Sequence, residues 1–133
     1  MNFLDLIWLI PLFPAAGFAI NGLFGKRFPK AVVNLVACGS ALLSFVFALG
    51  AVVQLVGLEE HSRSHTVTVF EWINAGLAHT SAGELTRFRI DWGFLLDPLS
   101  AIMVLVVTGI GFLIHVYSTG YMAQEDGYYR FFA

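Results

Sequence analysis

The sequence has 133 residues, 58% of them hydrophobic and 12% charged, with a formal net charge of −2 at pH 7. Soluble domains carry about 25% charged residues, so this balance describes a membrane protein and offers no basic field for nucleic acid. The single cysteine, Cys38, excludes a disulfide framework and a thiol ligand cluster; among Ala37, Gly39 and Ser40 it reads as a small packing residue.

Residues 6–25, 31–58 and 98–124 contain no Asp, Glu, Lys or Arg. Each meets the roughly 20-residue requirement for crossing the hydrocarbon core. The expected fold is therefore an all-α membrane protein with three transmembrane helices, over about residues 4–25, 31–57 and 98–122. The first is not a signal peptide, because Asp5 precedes it and its basic cluster follows it, the reverse of a signal sequence. Pro11 and Pro14 are expected to bend this helix, and Asn21-Gly22 to mark its fraying end.

Lys26, Arg27 and Lys30 fall between the first two helices. The positive-inside rule makes that turn cytoplasmic and puts the N-terminus outside. The next loop carries Arg63, Arg87 and Arg89, so the assignment rests on the density of the first cluster. In the second helix Ser40, Ser44 and Ala48 recur every four residues, with Ala37 and Ala41 beside them. Small residues at that spacing let a partner helix approach closely, which is how membrane helices associate.

Residues 58–97 form the aqueous segment. "TVTVFEWI" (66–73) and "LTRFRIDW" (85–92) alternate, the second placing Phe88, Ile90 and Trp92 on one face and Arg87, Arg89 and Asp91 on the other. With "NAGLAHTSAGE" as a loop between them, the pattern predicts an extracytoplasmic β-hairpin. An isolated hairpin is marginal in water, so it is expected to lean on a neighbouring protein surface. A flexible polar connector is the alternative. His61 and His65, four residues apart in "EEHSRSH", read as surface histidines, since no helix positions them for metal.

"LLDPLS" opens the third helix, with Asp97 as N-cap and Pro98 as first helical residue. A carboxylate at a membrane boundary also suits proton exit, so Asp97 has two readings. Gly109-Ile110-Gly111 is no nucleotide fingerprint, because Ile114 stands where the third glycine belongs. His115 is ionisable within an apolar helix, on a stripe with Thr108, Gly111, Ser118 and Thr119. That stripe points the ring at protein and away from lipid. The spans offer no second metal ligand, and Asp97 lies ~27 Å away along the helix at 1.5 Å per residue. Within this chain His115 is a polar interhelical contact; other helices could make it part of a proton relay.

"IDWGFLLDPLSAIMVLVVTGIGFLIHVYSTGYMAQEDGYYRFFA" (90–133) resembles the chain 5, or subunit L, family of NADH–quinone oxidoreductase, the antiporter-like subunit of respiratory complex I. The matching features are D-x-L-S opening a helix, V-T-G-x-G-F-L-I-H-x-Y, then Y-M, an acidic pair and G-Y-x-R-F-F-A. "FEWINAG" and "WLIPLFPAAGFAINGLFGK" resemble earlier segments of the same family, so the likeness spans essentially the whole chain. It implies an inner (plasma) membrane, multi-pass subunit that couples quinone reduction to proton translocation. Other membrane-arm subunits and the lipid bilayer are then its partners. NADH, FMN, iron–sulfur clusters and quinone belong to partner subunits, and this chain holds no cofactor or catalytic residue. The family's key glutamate and lysines lie on later helices. The chain is thus expected to be an N-terminal fragment or truncated product, with a fourth helix starting at 128–133. Two alternatives stay open: a subunit of a multisubunit cation/proton antiporter or membrane-bound hydrogenase, and a short membrane adaptor with no transport role.

Overall fold

The computed structural model describes residues 2–59, 63–79, 81 and 83–133. Among the described residues the α-helices are α1 (Leu9–Phe24), α2 (Lys30–Val56), α3 (Pro98–Tyr121) and the short α4 (Tyr128–Phe131). A hairpin of β1 (His65–His79) and β2 (Leu85–Leu96) separates α2 from α3. Single 3-10 turns, Phe3–Leu6 and Gly25–Arg27, flank α1. Among the described residues three segments, Phe3–Arg27, Lys30–Val56 and Pro98–Tyr121, are long and apolar enough to cross a membrane. At 1.5 Å per residue the 27 residues of α2 reach ~40 Å, enough for the hydrocarbon core with an overhang.

The middle helix organises the bundle, packing against both α1 and α3. Its buried positions are Val33, Ala37, Ala41, Ser44, Ala48, Ala51 and Leu55. From Ala41 onward the steps alternate three and four, the seam that lets two helices run side by side at a shallow angle. Most of these side chains are small, so backbone approach and not bulk fills the interface.

Two apolar clusters close the ends. At one end Leu4, Ile7 and Ile10 meet Ala48, Ala51 and Leu55, with Leu96 of β2 and Ala101 of α3. At the other, Tyr128 and Phe132 pack on Val33 and Ala37, folding the end of the chain back against α2. The N-terminal turn is fixed to the first cluster by two further contacts. The Phe3 ring lies on Gly50, and the Leu4 amide donates to Gln54 Oε1 at 3.2 Å.

The hairpin is longer than the alternation predicts. Residues 74–79, expected to be loop, belong to β1. The reason is Gly76, whose φ of +80° is open to glycine without strain and which takes up the extra residue of a bulge between Asn74 and Leu77. Two more register shifts, at Thr68/Phe70 and Glu71/Ile73, interrupt the strict period of two. Across the ladder Phe70 pairs with Trp92, their rings stacked 6.2 Å apart, and Trp72 meets Trp92 edge-on at 6.3 Å. On β2, Arg89 lies 3.2 Å from Asp91 and 3.6 Å from Glu71, so these three charges gather on the hairpin. The base of the hairpin docks on the bundle through Leu96, Val67 and Phe94. His65 adds a contact at 3.1 Å to Asp5. His61 lies outside the described residues.

Candidate functional site

Several of the polar side chains inside the spans bond a backbone carbonyl of their own or a neighbouring helix. Pro14 sits inside α1 and has no N–H, so the carbonyl of Ile10, four residues back, loses its intrahelical donor. Ser44 of α2 fills the gap: its Oγ donates to that carbonyl at 2.7 Å, with the side chain buried. One residue from each helix thus completes the other's hydrogen bonding, which hydrocarbon demands.

One step along, Gly17 meets Ser40. A Cβ on Gly17 would fall 2.3 Å from Ser40 Oγ and 2.9 Å from its Cβ, so only glycine permits this approach. Ser40 Oγ is itself held by the Ala37 carbonyl at 3.0 Å. Ala48 is fully buried in the apolar cluster at the hairpin end. The three small residues singled out from their spacing therefore have three different surroundings.

Asn21 corrects the reading of Asn21-Gly22 as a fraying end. The helix continues to Phe24, and Asn21 is entirely buried. Its Nδ2 donates to the carbonyls of Val33, at 3.3 Å, and Phe132, at 3.1 Å, so one amide ties α1 to α2 and to the end of the chain. The Asn-Gly pair reads as a turn because that dipeptide favours turns in water. A carboxamide four residues after Gly17 on an apolar helix was the signal for a helix contact.

His115 lies half-buried on α3. Its Nδ1 is 2.8 Å from the Gly111 carbonyl, which can only accept, so Nδ1 carries the proton in that bond. In the neutral ring Nε2 is then a bare acceptor. The ring lies 6.1 Å from that of Phe132 and lines a cavity of ≈ 120 Å³ together with Ser40 and Ala133. The neighbouring hydroxyls turn back on their own helix, Thr108 to Val104 and Thr119 to Val116, each at 2.7 Å. A larger apolar cleft of ≈ 530 Å³, between α1, α3 and the foot of β2, has Ser44, Ser100 and Thr108 as its polar members.

Asp97 sits at the far end of α3 from His115, and the two are not brought together. It forms a capping box: its Oδ1 accepts from the Ser100 amide at 2.7 Å, while the Asp97 amide donates to Ser100 Oγ at 2.8 Å. The Ser100 hydroxyl also donates to Oδ1 at 2.5 Å. That hydroxyl first, and the amide second, hold the carboxyl below its ordinary value of 3.8. Because the folded value is the lower one, the cap's contribution is complete above the ordinary carboxylate range. It disappears as pH falls through the lowered value. Hydrogen exchange at the Ser100 amide should therefore stay slow through neutral and mildly acid pH and quicken only below that range. Asp97→Ala should exchange fast at neutral pH. Loss of protection in the wild type near pH 6 would mean that another group controls this helix end.

Three helices long and apolar enough to cross a membrane, with a hairpin docked at its base, define a multi-pass membrane segment. Residues 84–132 match the family described as NADH-ubiquinone oxidoreductase (complex I), chain 5 N-terminus. Over 94% of its length the chain is 37% identical to NADH-quinone oxidoreductase subunit L of Mycobacterium tuberculosis, of which it covers 18%. It is 34% identical to subunit L of Pseudomonas aeruginosa, with all of this chain and 20% of the relative aligned. With NAD(P)H-quinone oxidoreductase chain 5 of Synechocystis it shares 31% identity over 97% of this chain and 18% of the relative. Over nearly its whole length the chain is similar to subunit L/chain 5 proteins, and it spans about a fifth of the length of the curated relatives it matches.

Proposed function

We propose that this chain forms the leading three-helix part of a membrane-arm subunit of an NADH–quinone oxidoreductase, an enzyme that couples quinone reduction to proton translocation. The observation that carries this reading is the alignment of nearly the whole chain with subunit L proteins. The chain's own role is to pack and to anchor. Its spans, over residues 6–25, 31–58 and 98–124, hold one histidine, His115, and no Asp, Glu, Lys or Arg, and a proton pathway through hydrocarbon needs more than that. Translocation is left to helices elsewhere in a full-length subunit, with His115 Nε2 offering an acceptor to one of them. NADH, FMN, iron–sulfur clusters and quinone are bound by partner subunits.

The Lys26–Lys30 turn faces the cytoplasm, and the N-terminus and hairpin lie on the opposite side. There the exposed rings of Phe70, Trp72 and Trp92 meet a neighbouring subunit, which supplies what a two-stranded hairpin lacks by itself. On α3 only Ala101 and Ser118 are buried, which leaves its length free for helices of the same complex.

The test uses the intact protein carrying this sequence, tagged and purified from membranes. It should bring down NADH oxidation coupled to quinone reduction. In that preparation His115→Leu should leave assembly intact and lower proton translocation modestly, since interhelical hydrogen bonds average about 0.6 kcal/mol. Purification without NADH:quinone activity would move the chain to a cation/proton antiporter or to an adaptor role. Complete loss of translocation in a normally assembled His115→Leu enzyme would make the histidine a relay. In whole cells, Lys26→Cys should resist impermeant thiol reagents and Ser81→Cys should react; the reverse would invert the orientation.

A further inference from the structure

The end of the bundle opposite the hairpin holds four cations to which no ligand has been assigned. Lys26 and Arg27 occupy the 3-10 turn between α1 and α2, both exposed. The short α4 packs on that turn: the Tyr129 side chain lies where a Cβ on Gly25 would stand, 2.9 Å from its own Cβ. Arg130 follows, its Nε donating to Tyr129 Oη at 3.0 Å and its guanidinium 5.6 Å from the ring centre. Lys30 opens α2, with Nζ donating to the Ala123 carbonyl at 2.7 Å and 5.3 Å from the Tyr128 ring centre. An ammonium has three donors, so Lys30 keeps two.

Among the described residues none of these four cations has an acidic partner, and the ion pairs that do form involve Asp5 and the hairpin. Glu125 and Asp126, in the turn before α4, are exposed and make no ion pair with them. Beside the cations the surface turns apolar at once. Leu23 is 77% exposed, and Phe24 and Phe131 are about half exposed. An array of unpaired Lys and Arg, with tyrosines, at the end of bilayer-length helices faces the depth of lipid phosphates. The planar guanidiniums suit two-point hydrogen bonding to phosphate oxygens, and the apolar flank suits acyl chains.

From this arrangement we infer that the Lys26–Arg27 turn and α4 form a binding site for the headgroup of an anionic diacyl phospholipid. Lys26, Arg27, Lys30 and Arg130 hold the phosphodiester, and the chains run along Leu23, Phe24 and Phe131. A free phosphate shares the headgroup chemistry but would leave the apolar flank unused. The site is independent of the chain's place in an oxidoreductase.

The experiment places a bimane fluorophore at Leu23→Cys in the intact protein, with other reactive thiols replaced, reconstituted in phosphatidylcholine vesicles. Brominated phosphatidylglycerol and brominated phosphatidylcholine of the same chains are compared as quenchers. Brominated phosphatidylglycerol should quench at a several-fold lower mole fraction, and the preference should shrink at high salt. Arg130→Gln should weaken it on the order of fivefold, the effect of one interfacial basic residue. Lys26→Gln/Arg27→Gln/Arg130→Gln should erase it, and Lys26→Arg/Arg27→Lys/Arg130→Lys should keep it. Equal quenching by the two lipids, or a preference untouched by Arg130→Gln, would overturn the site. Abolition of the preference by inorganic phosphate would make it a free-anion site and overturn the lipid assignment. The wild-type and Arg130→Gln arms decide the matter even where the triple variant fails to insert.

Discussion

Replacing Gly17 by leucine should drive α1 away from α2 and produce the largest loss of stability of any single change in the spans. The first side-chain carbon alone would stand 2.3 Å from Ser40 Oγ and 2.9 Å from Ser40 Cβ. A hydroxyl can rotate away, but a Cβ is fixed to its backbone, so the helices themselves must separate. Separation removes the packing that holds membrane helices together, because lipid competes equally well for apolar surface. It also pulls Ser44 from the Ile10 carbonyl and Asn21 from Val33. Overpacking costs about 1–3 kcal/mol in a closed core, and these further losses place Gly17→Leu at or above ~3 kcal/mol on that scale. Steric trapping or detergent-titration unfolding of the intact protein measures it. Gly17→Ala should cost less, and Ser40→Gly in the Gly17→Leu chain should recover part of the loss. Wild-type stability for Gly17→Leu would mean that the two helices do not approach this closely.

The second large effect concerns Ser44, and its size should depend on a residue of another helix. Ser44→Ala removes the donor to a carbonyl that Pro14 has already deprived of its helical partner. An unsatisfied buried carbonyl costs about 1–3 kcal/mol, and the largest interhelical hydrogen bonds measured in a membrane protein reach about 1.7. Ser44→Ala should therefore cost about 1–2 kcal/mol. In a Pro14→Ala background residue 14 regains its N–H and can bond the Ile10 carbonyl within α1. There Ser44→Ala should cost only a few tenths of that amount. The same four proteins give the coupling directly, and equal costs in both backgrounds would show that Ser44 serves packing and not the freed carbonyl.

Legibility in the sequence followed the range of each interaction. "LLDPLS" announces a helix start because the cap, the proline and Ser100 lie within four residues, and the capping box is complete there. The hairpin is partly legible. Alternation marks both strands, but Gly76 and three register shifts let β1 run on through residues that look like loop. The stripe Ser40, Ser44, Ala48 is visible as spacing, yet nothing local says that Ser44 answers Pro14, 30 positions earlier. His115 stands out by chemistry alone, and its surroundings come from Ser40 and the end of the chain, both distant.

What the sequence by itself determined is the three spans and their order. A helix in hydrocarbon satisfies its backbone within its own segment, so some twenty apolar residues suffice to specify one without reference to neighbours. Only the tertiary structure decided what the polar residues in those spans do. Asn21 is the clearest case: read alone it ends a helix, and in the fold it binds a carbonyl 111 residues away. Gly17, Ser44 and Asn21 have roles fixed by how closely α1 and α2 approach and by where the chain's end returns. That geometry is set by packing between segments, which no local pattern records.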